Sequence, residues 1–382
     1  MSTDPKKNRK KIAVVIPKYG LVGGAEQFVA ELTERIARNA DYDIHVIANR
    51  WKVLSDRITF HRAPIISFPK FLTTTSFAWF VDRTIRAEGF DLVHTHDRIF
   101  AADLFTMHGI PHRLWVEEVR RKRPSLYDRV TARTEERLIR NPRCRVFLAV
   151  SSLAKERFLK AYPKATGVEI VHPGVDLDLY DPPRKNELRG ETRGRFGIRP
   201  SETVILFVSM NFEIKGLDHL LAGLSALKSR GSAHPWRLLV VGRGNVRKYQ
   251  RMGDNLGIGD RIVFTGTLER EELTRMYGAA DFFCMLSEFD TFGLTVLEAM
   301  ASSLPVVVST HVGAKDLVEN GKTGFIVEHP EDSAGTAGIL GRMLDENQRE
   351  KMAKEALRTA RAHDWEAAAQ RISSIYEKLL FG

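Results

Sequence analysis

The chain has 382 residues, of which 43% are hydrophobic and 28% are charged, and its formal net charge at pH 7 is +10. This composition is that of a globular protein, and it excludes a disordered or low-complexity chain. No apolar run reaches the length of a membrane span, and the chain length favours two domains over one.

The excess positive charge lies in the first half of the chain. Residues 1–172 hold 31 Lys and Arg against 19 Asp and Glu, whereas the remaining residues hold 27 against 29. We therefore expect the first half to meet an anionic partner. The N-terminus is polar and basic rather than like a signal peptide, and Cys144 and Cys284 show neither a disulfide framework nor metal-ligand spacing. A reducing, cytoplasmic location is the simplest interpretation.

The first half alternates short apolar runs with amphipathic segments. The run "KIAVVIPKYG" (11–20) predicts a buried strand and a loop, and a glycine-rich turn then leads into a helix with Phe28, Leu32 and Ile36 on one face. Further strands are predicted at "YDIHVIAN", "FDLVHTHD" and "RVFLAVSS". This alternation is typical of a parallel sheet that is covered by helices.

The second half repeats the same alternation. Strands are predicted at "TVILFVSM", "WRLLVVGRGN", "RIVFTG", "AADFFCML" and "LPVVVST", with a break between the two blocks near residues 172–187. We predict an α/β fold with two Rossmann-like, doubly wound domains, at 1–178 and 179–363, and a C-terminal helix at 364–382 that packs back on the first domain. Ligands bind beyond the carboxyl ends of such strands, so we expect the domains to face each other across one cleft.

The segment "SEFDTFGLTVLEAMASSLPVV" (287–307) places Asp290 and Glu298 eight positions apart. Turn and cap residues precede Leu294, where a helical apolar pattern begins, so Asp290 falls in a loop and Glu298 about one turn into a helix. The free amides of residues 292–295 between them predict an anion site that suits a sugar nucleotide. The alternative is an ordinary helix cap and a solvated Glu.

Six segments, in the same order, resemble the retaining glycosyltransferases of family 4, which have the GT-B architecture of two Rossmann-like domains. The segments are "GGAEQFVAELTERIA", "VHPGVDLDLYDP", "FVSMNFEIKGLDHLL", "RIVFTGTL…LTRMYGAADFFCMLSEFDTFGLTVLEAMASSLPVVVS", "VENGKTGFIVEHPED" and the tryptophan-led tail. The "FEIKGLDHLL" variant and the basic first half look most like glucosyltransferases of the lipopolysaccharide core that act on a heptose.

The resemblance implies roles for residues of the second half. Asp290 would bond hydroxyls of the donor hexose, Glu298 would hold the ribose, and Lys215 would neutralise the departing nucleoside diphosphate. The diphosphate would bind the amides near Phe292, Gly293, Leu294 and Thr295. Where the family usually has Glu, this chain has Asp290. The family also has an Arg beside the Lys, whereas this chain has Ile214, and Arg243 or Arg270 is a candidate substitute for that arginine. For Lys215 the alternative is a solvated loop lysine.

In the first half, the resemblance implies that Gly23 and Gly24 allow close approach to phosphate. His108 in "FTMHG" matches the family histidine beneath the donor sugar, and Asp97 in "HTHDRIF" is a candidate partner of the acceptor hydroxyl. The alternatives are a simple turn for the glycine pair and structural roles for His108 and Asp97. We interpret His94 and His96 as structural.

Two further motifs suggest other chemistries. The sequence "DLD" (176–178) looks like a metal-binding Asp-x-Asp, but it falls in the predicted interdomain connection. The resemblance to GT-B enzymes implies no metal and no cofactor. The sequence "GRGNVRKYQ" lacks a full dinucleotide fingerprint, which disfavours hydride transfer.

Residues 112–145 hold eleven Arg or Lys, interleaved with apolar residues. Pro124 is expected to divide the stretch into two helices. Binding to an anionic membrane or to the acceptor is favoured by one aromatic residue and four cations, Trp115, Arg120, Arg121, Lys122 and Arg123. One alternative is a solvated helix with Trp115 packed inward. The other is a nucleic-acid site, which we do not favour.

The combined prediction is a retaining, metal-independent glycosyltransferase at the cytoplasmic face of the inner membrane. It would move a hexose, with glucose preferred, from a UDP-sugar to a lipid-linked glycan such as the heptose of the lipopolysaccharide core. Alternatives are another donor, such as GDP-mannose or UDP-GlcNAc, a sugar-nucleotide epimerase or phosphorylase of the same fold, and a non-catalytic membrane adaptor.

Overall fold

The computed structural model describes residues 9–21, 23–180, 182–231 and 234–382. The chain divides into two compact units, the first comprising Met1–Gly174 with Trp365–Gly382 and the second Val175–Asp364. The start of the basic N-terminus, residues 1–8, lies outside the described residues.

Unit 1 is built on a parallel sheet of seven strands, in the order β5-β3-β1-β6-β7-β8-β9, and a parallel pair β2-β4. The strands are β1 Lys10–Val15, β2 Lys18–Tyr19, β3 Tyr42–Ala48, β4 Arg50–Trp51, β5 Ile58–Arg62, β6 Leu92–Thr95, β7 Leu104–Met107, β8 Val146–Ala149 and β9 Val168–Ile170. The helices are α1 Gly24–Ile36, α2 Leu72–Glu88, α3 His112–Leu114 with a π-helical continuation at Trp115–Val119, α4 Leu126–Ile139 and α5 Ser152–Ala161.

Unit 2 is built on a parallel sheet of six strands, in the order β12-β11-β10-β13-β14-β15. The strands are β10 Thr203–Ser209, β11 Trp236–Gly242, β12 Ile262–Gly266, β13 Phe282–Met285, β14 Val306–Ser309 and β15 Gly324–Val327. The helices are α6 Pro182–Arg195, α7 Leu217–Ser229, α8 Val246–Asn255, α9 Arg270–Ala279, α10 Leu294–Ala301, α11 Ser333–Arg342 and α12 Glu346–Arg361. The last helix, α13 Trp365–Phe381, belongs to unit 1.

The strands form where β-branched and aromatic residues run without interruption. All seven residues of β10 are buried, as expected for a central strand covered on both faces. The helices around it are amphipathic, and α1 buries the predicted face of Phe28, Leu32 and Ile36. The predicted α/β fold with two parallel, doubly wound sheets is therefore confirmed.

The strand orders locate one switch point in each sheet. In unit 1 the chain leaves β1 towards β3 on one side and later returns to β6 on the other; in unit 2 the corresponding strand is β10, between β11 and β13. At such a point the loops after the two central strands diverge and leave a crevice at the carboxyl edge of the sheet. The loops after β10 and β13, and those after β1 and β6, are therefore where ligand sites are expected.

None of the helices in the described ranges is long and apolar enough to span a bilayer.

Candidate active site

Lys215 and Asp290 come together at the switch point of unit 2. Lys215 follows β10 and Asp290 follows β13, and the Lys215 ammonium donates to the Asp290 carboxylate. Both side chains are mostly buried, so little solvent weakens the attraction. The loop that holds Asp290 is fixed by its own backbone, since the Asp290 amide donates to the His311 carbonyl (3.0 Å) and the Asp290 carbonyl accepts from Gly313 (2.9 Å).

Two glycines allow these loops to approach closely. Gly216, directly after Lys215, has φ of 72°, and a Cβ there would lie 1.9 Å from the Leu286 carbonyl oxygen. Gly293, which precedes α10, has φ of 92°, and a Cβ there would lie 2.8 Å from Met285 Cε. A side chain at Gly216 would push the loops after β10 and β13 apart, and with them Lys215 and Asp290.

The N-terminus of α10 lies directly after Asp290. The amides of Leu294 and Thr295 open this helix, so no carbonyl of a preceding turn is available to them, and they carry the positive end of the helix dipole. The Phe292 amide was expected to bind the diphosphate. In the structure it instead donates to the carboxylate of Asp290 at 3.2 Å. The helix cap is Gly293, without a side-chain bond, so the alternative that Asp290 is the cap residue is wrong.

Glu298 lies on α10 among tyrosines. Its carboxylate accepts hydrogen bonds from the hydroxyls of Tyr277, at 2.7 Å, and Tyr180. Burial raises the pKa of Glu298, and the two tyrosine hydroxyls and the charge of Arg270 oppose that rise. Burial, helped by the carboxylate, raises the pKa of both tyrosines, so these remain donors at neutral pH. Neither tyrosine is predicted as a site residue from the sequence.

The candidate substitutes for the missing arginine lie on other loops of unit 2. Arg270 opens α9 and pairs with Asp176 at 3.3 Å, while Arg243 is exposed directly after β11. Asp176 also accepts from the Leu179 amide at 3.2 Å, so this residue of the "DLD" sequence caps a turn and pairs with an arginine. Within the described ranges, no three His, Cys, Asp or Glu side chains are grouped as metal ligands would be.

The switch point of unit 1 collects Gly23, Gly24 and Asp97. Gly23, with φ of 149°, precedes α1, which begins at Gly24, and Asp97 follows β6. The Asp97 carboxylate accepts from the Arg98 amide at 2.6 Å. Burial raises the pKa of Asp97, although Arg98 lowers it in part. Arg98 itself also bonds the fully buried Glu135, at 2.7 Å.

His108 belongs to a cluster of three histidines in unit 1. Its Nε2 lies 2.9 Å from Nδ1 of His96, and the His96 ring packs against the ring of His94 with centroids 4.1 Å apart. His94 is bonded on both ring nitrogens, to the Tyr376 hydroxyl and Thr106 Oγ1, each at 2.7 Å. Burial lowers the pKa of His94 to about 3 and that of His108 to about 4, and it also lowers the pKa of His96, so the three imidazoles are neutral at pH 7.

We expect this cluster to make the protein sensitive to acid. The folded-state pKa values lie below the unfolded value of about 6.5, so the unfolded chain binds more protons, and the free energy of unfolding falls as pH decreases from about 6.5 towards 4. Each histidine contributes up to about 1.4 kcal/mol per pH unit. His94→Gln keeps a donor and an acceptor and should reduce the difference between the melting temperatures at pH 7.5 and 5. An unchanged difference would contradict the assignment.

The basic stretch forms two helical segments that are separated by residues 120–125. Trp115 is half-buried, between Leu114 and Val116, which are buried. Arg120, predicted to bind a membrane or the acceptor, instead donates to the buried Asp128 at 2.9 Å and stabilises the start of α4. Arg121, Lys122 and Arg123 are exposed.

Comparisons with known proteins agree with this architecture. Residues 22–179 match the model "Glycosyltransferase Family 4", and residues 189–359 match "Glycosyl transferases group 1". The two matches occupy the two halves in the order of the two sheets. The chain belongs to the glycosyltransferases of GT-B fold.

Curated relatives are similar over half or all of their length. A D-inositol 3-phosphate glycosyltransferase of Corynebacterium glutamicum is 29% identical over 55% of this chain and 51% of its own. An uncharacterized glycosyltransferase of Methanocaldococcus jannaschii is 26% identical over 96% of this chain and 98% of its own. The chain thus spans about half the length of the inositol phosphate enzymes that it matches.

Solved structures share the fold along the whole chain. WaaG, a glycosyltransferase involved in lipopolysaccharide biosynthesis, superposes with a TM-score of 0.78 at 19% identity, covering 97% of this chain and 100% of its own. HepE of Anabaena, solved in complex with UDP-glucose, superposes with a TM-score of 0.72 at 19% identity, covering 96% of this chain and 99% of its own. At these identities the likeness concerns the fold.

Proposed function

We propose that this protein is a retaining glycosyltransferase that moves a hexose, preferably glucose, from UDP to a lipid-linked glycan such as the heptose of a lipopolysaccharide core. The observation that carries the donor site is the meeting of Lys215, Asp290 and the N-terminus of α10 at the switch point of unit 2. Solved GT-B neighbours in complex with UDP and with UDP-glucose support the choice of donor.

Each part of a UDP-hexose has a partner in this arrangement. The Leu294 and Thr295 amides take the diphosphate, and Lys215 adds a positive charge beside it. Glu298 accepts from the ribose hydroxyls and Asp290 from the hydroxyls of the hexose. Before the donor binds, Lys215 and Asp290 neutralise each other, so neither charge is left unpaired in a partly buried site.

Transfer then requires positioning and charge stabilisation. The bond from the anomeric carbon to the diphosphate oxygen breaks, and a bond from the acceptor oxygen to the same carbon forms on the same face of the sugar. The acceptor proton passes to the leaving phosphate oxygen, and UDP and the glycoside are the products. Lys215 stabilises the charge that develops on the diphosphate. We assign Gly23, Gly24, His108 and Asp97 of unit 1 to contacts with the donor sugar and the acceptor, and no step involves a metal.

Thermal stability in the presence of nucleotides tests the donor assignment. UDP and UDP-glucose should raise the melting temperature, because a ligand present at about 100 times its Kd stabilises the folded state by about 2.7 kcal/mol. The rise should be the same in EDTA, and release of UDP should require a glycan acceptor. GDP and GDP-mannose serve as matched controls. No shift with any uridine nucleotide, or a shift abolished by EDTA, would overturn the proposal.

A further inference from the structure

An exposed apolar cluster with surrounding cations lies on unit 1, outside the proposed donor and acceptor residues. Phe68 is 87% exposed, Leu126 58% and Ile66 46%. Lys70, Arg121, Lys122 and Arg123 are also exposed. We call this set of seven residues the Phe68 surface.

Contacts between α2, α4 and the loop before α2 bring the two parts of the Phe68 surface together. The Lys70 ammonium lies 5.0 Å from the centre of the Tyr127 ring, and Tyr127 is the neighbour of Leu126 on α4. Helices α2 and α4 are joined by a hydrogen bond between the hydroxyls of Thr74 and Thr131, at 3.0 Å. The segment that carries Phe68 is therefore held beside the N-terminus of α4.

Phe68 is exposed on an ordered segment. The Ile66 amide donates to Ser76 Oγ at 2.9 Å, and the Leu72 amide donates to the Pro69 carbonyl at 2.9 Å. Both sides of Phe68 are thus tied to the start of α2. The native fold leaves one of the largest apolar side chains in water, a cost that is recovered when a partner covers it.

The two sequence segments that form the Phe68 surface are rich in cations. Residues 57–81 contain no Asp or Glu, and residues 120–123 are four consecutive cations, of which Arg120 pairs with the buried Asp128. Within the part of the chain that the structure describes, Lys70, Arg121, Lys122 and Arg123 form no salt bridge, whereas the neighbouring Arg113 and Arg120 each pair with a carboxylate. Exposed cations without a salt bridge, on the same surface as an exposed aromatic side chain, are complementary to an anionic bilayer.

We propose that the Phe68 surface docks on an anionic lipid bilayer, with Phe68, Ile66 and Leu126 in the interface and the four cations at the headgroups. A bilayer is favoured over nucleic acid because the cluster includes two aliphatic side chains, which have no role in base stacking. The inference rests on the proposed function only in that a lipid-linked acceptor lies in such a membrane. It also moves the predicted membrane contact from the helix of Trp115 to the segment before α2 and the loop before α4.

Co-sedimentation with vesicles tests the surface. Vesicles of phosphatidylcholine with 30% phosphatidylglycerol should bind the wild type, and pure phosphatidylcholine vesicles should bind it far less. Phe68→Ser should lower the partition coefficient roughly tenfold. Replacing Arg121, Lys122 and Arg123 by Gln should lower it by roughly a hundredfold, and raising the salt concentration should lower it further.

A matched control is Phe381→Ser, because Phe381 is also exposed (70%) but lies at the end of α13, beside Lys10, which is 3.8 Å from Asp91. This variant should bind vesicles as the wild type does. Equal vesicle binding by Phe68→Ser and the wild type would overturn the proposal, as would equal binding to neutral vesicles. Sedimentation velocity supplies a third outcome: a dimer that Phe68→Ser dissociates would make this face a protein interface and overturn membrane docking.

The same samples separate this inference from the proposed function. The UDP-dependent rise in melting temperature should be identical in the wild type, Phe68→Ser and Phe381→Ser. Vesicle binding without any UDP effect would support membrane docking by the Phe68 surface and overturn the proposed UDP-hexose donor. A UDP-dependent rise in melting temperature without vesicle binding would support the donor and overturn membrane docking.

Discussion

Replacing Lys215 by alanine is expected to lower hexose transfer by about a hundred- to thousandfold, the loss typical when one preorganised group that stabilises developing charge is removed. The affinity for UDP should fall less, because the α10 amides remain. The measurement is steady-state release of UDP in the presence of acceptor, together with UDP binding by calorimetry. Lys215→Arg, which keeps the charge, should retain more activity than the alanine variant.

Two comparisons sharpen this expectation. Lys248→Ala removes an exposed lysine from α8 of the same unit and should leave transfer unchanged. Asp290→Asn removes the partner of Lys215 and should lower turnover of the sugar donor about ten- to hundredfold while affinity for UDP stays near that of the wild type. Wild-type turnover in Lys215→Ala would mean that Lys215 serves only to pair Asp290.

Glu298→Gln is expected to stabilise the free protein at neutral pH and to weaken UDP binding about ten- to hundredfold. Burial raises the pKa of Glu298 in the folded state. A carboxyl group with a raised folded pKa contributes most to stability below its unfolded pKa, and that contribution is lost as pH rises through the folded value. Glutamine accepts the same tyrosine hydrogen bonds without a buried charge, so its melting temperature should exceed that of the wild type at pH 8.

Melting curves at pH 4.5 and 8, with and without UDP, measure both effects. The stability difference between Glu298→Gln and the wild type should shrink at the lower pH, where a larger fraction of the wild-type carboxyl group is protonated. Tyr277→Phe serves as a control, since it removes one hydrogen bond and leaves the carboxylate in place. A glutamine variant that is less stable at both pH values and binds UDP normally would show that Glu298 is a structural residue.

The sequence predicted the fold because the signals for it are local. Runs such as Thr203–Ser209 are β-branched and buried along their whole length, and the helices show their apolar faces at a period of 3.6 residues. The positions of Asp290 before a helix and of Glu298 on it were local predictions as well, and the structure has α10 begin at Leu294. The order of the strands is not local. Only the pairing of β10 with β13 places Lys215 beside Asp290, 75 residues later in the chain.

The contacts that set the chemistry of the site were beyond the sequence pattern for the same reason. Tyr180 and Tyr277 reach Glu298 from separate segments, and no spacing relates the three residues. In the sequence Arg120 does not differ from the cations that follow it, and only the fold shows that it pairs with the buried Asp128. As a large apolar residue, Phe68 would be expected in a hydrophobic core. Only the structure, with α2 packed beside α4, shows that its side chain is exposed to solvent.

A crystal structure with UDP-glucose tests the central claim most directly, because the account assigns a different partner to each part of the donor. The predicted result places the diphosphate on the amides of Leu294 and Thr295 with Lys215 beside it, the ribose on Glu298 and the hexose on Asp290. In that complex Lys215 should have left Asp290 for the diphosphate. Nucleotide density away from the loops after β10 and β13, or a bound donor with the Lys215–Asp290 pair intact and no contact to Glu298, would contradict the account.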